Sequence, residues 1–334
     1  MQKLRVIYFG TPDFSARVLE NLLTNTSLPV EIVAVVTQPD KPVGKKKIMT
    51  KSPVKEMARK YNVPVISDQL ESVFSSNRFQ PNTDSNQAKL GSNRIDLALL
   101  FAYGKIIPAD LLTRPRFGFW NIHPSLLPQF RGPSPIAYPL ILGEKITGVT
   151  LMKMDEKVDH GPIIDQAEYV IKPTETRTDL EKNLSDLGYK LFCNKISHFV
   201  LDEKYHEQDH TLATFTKLLK REDGFVPMRV LLKTINGTAL DYEELPLILK
   251  NYIEKLGVKD HSYHLKFAIL NLFRGLSPWP GVYTIVKING TEKRLKINEL
   301  HLENEKIILD RVQLEGKNEV DFVTFNRAYN ILKK

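Results

Sequence analysis

The chain has 334 residues, 42% hydrophobic and 26% charged, with 47 Lys and Arg against 39 Asp and Glu for a formal net charge of +8. That length predicts two domains, each able to bury its own core, and the composition suggests neither disorder nor a membrane protein. The lone Cys193 excludes an intrachain disulfide and a cysteine-rich metal site, and no run approaches the roughly 20 apolar residues that span a bilayer.

Val6-Ile7-Tyr8-Phe9 is too short a run for a signal-peptide core, and with the single cysteine this points to a reducing cytoplasm, or to an organelle interior if a targeting segment was removed. Leu4 to Gly10 reads as a buried strand, Thr11-Pro12-Asp13 as a turn and helix cap, and Phe14 to Leu23 as an amphipathic helix. Val30 to Thr37 adds a β-branched strand, completing a βαβ unit. Next, Lys41, Lys45, Lys46, Lys47, Lys51, Lys55, Arg59 and Lys60 crowd a stretch whose only acid is Glu56. Such a cluster fits either a polyanionic partner or a solvated basic loop.

Ser52 to Tyr61 has a helical pattern and Val63 to Ile66 that of a short strand. Ser72 to Asn93, rich in Ser, Asn, Gln, Pro and Asp, breaks the alternation and reads as a surface insertion. Ile95 to Ala102 is a nearly continuous apolar run, as in a strand covered on both faces. Ile107 to Leu112 starts another helix and Gly118 to His123 forms a further strand. The alternation predicts an α/β fold with a mostly parallel, doubly wound sheet whose ligands lie beyond the carboxyl ends of the strands.

A helix is expected around Thr178 to Leu201, then a polar linker from Asp202 to His210. Helical segments follow around Tyr242 to Lys255 and Lys266 to Arg274. Gly281 to Lys287, Arg294 to Asn298, Lys306 to Val312 and Glu319 to Thr324 read as short strands, with turn signals at Asn289-Gly290 and Glu315-Gly316. They predict a small antiparallel barrel.

Phe119-Trp120-Asn121-Ile122-His123-Pro124-Ser125-Leu126-Leu127-Pro128 and Val158-Asp159-His160-Gly161-Pro162 carry the chemistry. Moving an acyl group onto an amine needs donors for a developing oxyanion and a route for the amine proton. Asn121 and His123, on one side of a strand, supply the donors. Asp159 can orient His123 and relay the proton. His160 points away from Asp159 and reads as structural or solvated. His198, His206, His210 and His301 lack metal-ligand spacing with a carboxylate or thiol, and His261 and His264 fit an ordinary helix surface, so no catalytic metal is expected.

These motifs, with Phe9-Gly10-Thr11-Pro12-Asp13-Phe14, Thr37-Gln38-Pro39-Asp40, Ala102-Tyr103-Gly104, Arg131-Gly132 and Pro278-Trp279-Pro280, resemble those of the folate-dependent formyltransferases, and among them the methionyl-tRNA formyltransferase family. The resemblance implies a Rossmann-like catalytic domain over 1–203, a linker over 204–216, and a C-terminal oligonucleotide-binding-type (OB-like) barrel domain over 217–334. It implies 10-formyltetrahydrofolate as donor and methionyl initiator tRNA as acceptor, with Asn121, His123 and Asp159 catalytic. Ser125, Leu126, Leu127 and Pro128, with Phe101, Ala102, Tyr103 and Gly104, would contact the folate. Gly10, Thr11 and Phe14 would face the methionyl end, and Lys41, Lys45, Lys46, Lys47 and Lys51 the tRNA acceptor stem.

Where that family often has arginines, Lys41 and Lys45 stand here, and a lysine lacks the planar fork needed for bidentate base recognition. The resemblance favours a monomer. Transfer to a small amine, hydrolysis of the folate, and a non-catalytic RNA-binding role remain alternatives, although none of the enzymatic ones uses the lysine cluster.

Overall fold

The computed structural model describes residues 3–44, 46–67, 95–198, 205–238, 240–250, 267–304 and 306–332. Lys45, the expected insertion at 72–93, and His261 and His264 lie outside the described residues. The chain divides into two compact units, one of Met1–Pro133, Thr147–Tyr169 and Glu181–Phe215, the other of Ser134–Ile146, Val170–Leu180 and Thr216–Lys334.

The first unit opens with β1 (Leu4–Gly10), α1 (Asp13–Thr24) and β2 (Val30–Val36). A hairpin of β3 (Lys41–Val43) and β4 (Ile48–Thr50) precedes α2 (Pro53–Lys60) and β5 (Val65–Ile66). Then come β6 (Leu97–Phe101), the short α3 (Ala109–Leu112), β7 (Phe119–His123), β8 (Ile146–Lys153) and β9 (Ile163–Val170). The seven-stranded sheet has the order β5-β2-β1-β6-β7-β8-β9, parallel from β5 to β7, with β8 antiparallel to β7.

Every residue of β6 and β7 is buried, the signature of strands covered on both faces. Ile7, Phe9, Ala34, Val36, Ala98, Leu100 and Phe119 form one core cluster. Burying each large apolar side chain contributes about 1.5–3 kcal/mol, and this packing fixes where the strands end. Because β2 and β6 flank β1 on opposite sides, the chain reverses direction across the sheet there. Such a switch point opens a crevice at the carboxyl ends of the strands, near Gly10, Phe101 and His123.

The long helix α5 (Arg177–Ser197) spans residues of both units. In the second unit, α4 (Ala137–Leu142) packs on α7 (Ala268–Leu276), and α6 (Met228–Ile235) lies earlier in the chain. The strands β10 (Val282–Ile288), β11 (Thr291–Glu303), β12 (Lys306–Leu314) and β13 (Glu319–Asp321) form an antiparallel sheet in that order. Asn289 and Gly290 turn between β10 and β11 with φ of 49° and 81°, as the Asn-Gly pair predicts.

Two expectations change. β11 continues past Asn298 through register shifts between Ile297 and Leu300. The last strand stops at Asp321, whose carboxylate accepts from the Thr324 backbone N–H at 2.8 Å and caps α8 (Phe322–Tyr329). An N-cap carboxylate outweighs three further residues of alternation. Among the described residues no helix is long and apolar enough to cross a membrane.

Candidate active site

Asn121 and His123 alternate on β7 and converge on one atom, Asp159 Oδ1. Asn121 Nδ2 donates to it at 3.5 Å, and His123 Nδ1 lies 3.5 Å away. These are long contacts, readily exchanged for a reacting group. The other carboxylate oxygen, Oδ2, accepts from the Gly132 backbone N–H at 2.7 Å. His123 Nε2 lies 3.1 Å from the Phe130 carbonyl oxygen. Both ring nitrogens thus face acceptors. Asn121 and His123 are buried, 7% and 3% exposed, while Asp159 keeps partial exposure.

The loop after β7 is braced internally. Ser125 Oγ donates to the Gln129 carbonyl at 2.7 Å, Thr150 Oγ1 donates to the Ser125 carbonyl at 2.7 Å, and the Leu127 N–H donates to Thr150 Oγ1 at 3.0 Å. Gln166 Nε2 adds a bond to the Leu127 carbonyl at 2.8 Å. Ser125 and Leu127 are buried, whereas Leu126 and Pro128 retain partial exposure.

The turn after β6 is likewise fixed by its carbonyls. Ser15 Oγ donates to Phe101 O at 2.8 Å, while Thr11 Oγ1 and Gln38 Nε2 each donate to Tyr103 O at 2.9 Å. The Phe101 and Tyr103 side chains are core residues, leaving Ala102 and Gly104 as the accessible part of that turn. Gly10 has a packing reason for lacking a side chain, because a Cβ there would sit 2.0 Å from Ser15 Oγ. Phe14 packs edge-on against Phe101 with ring centroids 5.4 Å apart.

A segment with no recognisable motif holds the Asp159 loop. Asp159 adopts φ of 48°, a left-handed conformation costly for a non-glycine residue. Gln208 Nε2 donates to the carbonyls on either side, to Asp159 O at 3.1 Å and Gly161 O at 2.7 Å. Gln208 Oε1 accepts from buried Arg131, whose Nη2 lies 2.6 Å away and also donates to His210 Nδ1 at 2.8 Å. Burial pulls the Arg131 guanidinium below its ordinary value, opposed by the negative charges of Asp159 and Asp155.

The His160 side chain is engaged by Asp155 and His210. Its Nδ1 lies 2.6 Å from Asp155 Oδ2, and its ring stacks on His210 with centroids 3.9 Å apart. Desolvation, then the charges of His160, Arg131 and Lys157, hold the His210 imidazole below 6.5. Arg131 can only donate, so Nδ1 is the accepting nitrogen of the His210 ring.

The lysine cluster falls on the β3–β4 hairpin and its flank. Lys41, Lys46, Lys47 and Lys51 are all exposed, although Lys41 Nζ donates to Gln38 Oε1. Lys55 is instead paired with Asp40 at 2.7 Å. Exposed Val43, Ile48 and Met49 lie on the same hairpin.

A profile of the formyl transferase family matches residues 2–196. The chain is also 36% identical over 298 residues to methionyl-tRNA formyltransferase from Protochlamydia amoebophila, covering 89% of this chain and 79% of that protein. The chain belongs to the methionyl-tRNA formyltransferase family. Its likeness to the methionyl-tRNA formyltransferase of Caldicellulosiruptor saccharolyticus extends over 98% of both chains at 31% identity.

Among solved structures, an N-formyltransferase from Helicobacter canadensis, in complex with folinic acid and dTDP-3-aminofucose, shares the fold with a TM-score of 0.53 at 18% identity. That comparison covers 92% of this chain and 95% of the other. The Asn121, His123 and Asp159 constellation lies within the portion that matches the formyl transferase profile.

Proposed function

We propose that this enzyme transfers the formyl group of 10-formyltetrahydrofolate to the α-amine of methionyl initiator tRNA, giving N-formylmethionyl-tRNA for translation initiation. The observation that carries the reading is the convergence of Asn121 and His123 on Asp159 at a strand end, in a chain of this family. The amine nitrogen attacks the formyl carbon and a tetrahedral intermediate forms. Asn121 Nδ2 and a His123 N–H stabilise its oxyanion, exchanging their long contacts with Asp159 for the substrate.

The amine proton passes to Asp159, directly or through water. The bond from carbon to the folate N10 then breaks, and N10 takes up a proton to leave as tetrahydrofolate. No side chain needs to be acylated, because the acceptor amine is itself the nucleophile. Leu126, Pro128, Ala102 and Gly104 are the accessible groups around the expected folate site, and the exposed lysines of the hairpin suit tRNA phosphates. A cytoplasmic, monomeric enzyme is part of the same proposal.

The test is transfer of labelled formyl from 10-formyltetrahydrofolate to methionyl initiator tRNA. Removing one oxyanion donor costs about 10²–10³ in kcat, so His123→Ala should fall by that much. Asp159→Asn should lose turnover while retaining tRNA binding. Turnover with a small amine or water, but none with charged tRNA, would keep the trio and overturn the assignment of the acceptor.

A further inference from the structure

The turn after β6 holds two left-handed residues, Ala102 with φ of 54° and Gly104 with φ of 77°. Such backbone is costly for a residue with a side chain and persists only where its surroundings hold it. Here the turn is held by its carbonyl oxygens. Ser15 Oγ donates to Phe101 O at 2.8 Å and Thr11 Oγ1 to Tyr103 O at 2.9 Å. Gln38 Nε2 reaches further along, donating to Tyr103 O at 2.9 Å and to Gly104 O at 3.2 Å. A Cβ at Gly104 would sit 2.6 Å from that nitrogen, so the amide lies directly against the turn.

The amide is itself gripped from its other end. Lys41 Nζ donates to Gln38 Oε1. An ammonium can only donate and the two carbonyls can only accept, so one orientation of the amide serves all three. The chain between Gln38 and Lys41 is anchored on both sides. The Thr37 N–H donates to the Ile66 carbonyl at 3.1 Å, and the Thr37 and Ser52 hydroxyls share a hydrogen bond at 2.7 Å. Asp40, the carboxylate next to Lys41, is engaged by Lys55 at 2.7 Å, and Lys41 turns to the amide instead. A charged donor on the amide oxygen polarises the group and strengthens the bonds that its nitrogen donates. Lys41 thus braces the turn through Gln38.

We propose that Gln38 and Lys41 are positioning residues for the formyl donor, and that Lys41 acts on the folate side through Gln38 rather than on a tRNA phosphate. The inference rests on the reading of Phe101 to Gly104 as part of the folate site, and it separates Lys41 from the other lysines of the hairpin. It is tested on the full chain. Binding of 10-formyltetrahydrofolate is followed by calorimetry without acceptor, beside formyl-transfer kinetics and tRNA titrations at several salt concentrations.

Gln38→Ala should weaken folate binding and raise its KM about tenfold, with kcat at saturating donor within about twofold of wild type. Gln38→Glu should do the same, since a carboxylate pairs with Lys41 but cannot donate to the carbonyls. Lys41→Met should cost about threefold, because its contact is exposed, and Lys41→Arg should restore affinity. In the Gln38→Ala background the Lys41→Met change should have no further effect. Its tRNA salt slope should stay at the wild-type value, where loss of a phosphate contact would reduce it by about 0.9. Wild-type folate affinity in Gln38→Ala or Gln38→Glu, whatever their melting temperatures, overturns the inference. So does a reduced salt slope in Lys41→Met with unchanged folate KM, and in each of these cases a wild type that formylates tRNA leaves the proposed function standing. A wild type without affinity for the folate overturns that function, and the inference with it.

Discussion

Asp159 is held in its left-handed conformation by a glutamine 49 residues away, whose amide donates to the Asp159 carbonyl. Each neutral hydrogen bond contributes about 0.5–1.5 kcal/mol net, and Gln208 makes one to Asp159 O and one to Gly161 O, besides accepting from Arg131. Gln208→Ala should therefore let the carboxylate wander, lowering kcat about tenfold while the KM for folate changes less than twofold. Steady-state kinetics beside a melting curve checks this. A lower melting temperature with unchanged kcat would make Gln208 a purely structural residue.

That Asn121 and His123 share one side of a strand was legible in sequence, because side chains alternate along a strand. Gln208 was not, since one amide within a polar stretch carries no local signal of a partner so distant in sequence. Ser125 shows the converse. Its buried hydroxyl donates to Gln129 O, a bracing role that the motif did not announce.

At the level of elements, the alternating pattern was enough to find the strands of the parallel sheet, because burial on both faces leaves long apolar runs. The β3–β4 hairpin escaped it. Each strand has three residues, all exposed, so no buried face imprints a period of two. Its charge was legible all the same. If these lysines meet tRNA phosphates, removing each one should reduce the slope of log K against log salt by about 0.9. Replacing Lys46, Lys47 and Lys51 together by Ser should flatten the salt dependence of tRNA binding by about 2 to 3 and leave turnover at saturating tRNA nearly unchanged. An unaltered slope in binding titrations between low and moderate salt would place the phosphate-binding groups elsewhere.

Across the whole molecule, local pattern tells what each segment is but not which segments pack together. Ser134–Ile146 and Val170–Leu180 group with the C-terminal stretch, although more than a hundred residues separate α4 from α7. The reason lies at Gly275, where a Cβ would meet Ile141 Cγ1 at 2.4 Å and the Ala137 carbonyl oxygen at 2.8 Å. Arg274 beside it donates to the carbonyls of Glu175 at 2.7 Å and Lys172 at 2.9 Å, tying in the other distant segment. From sequence alone, a glycine inside a helix invites Gly275→Ala, which should stabilise by up to about 1 kcal/mol through helix propensity. Here the added methyl meets a backbone oxygen that cannot swing aside, and overpacking of this kind costs about 1–3 kcal/mol. Packing should win, so Gly275→Ala is expected to lower stability by about 1 kcal/mol in a denaturant titration. A stabilised variant would show that α4 and α7 separate at little cost.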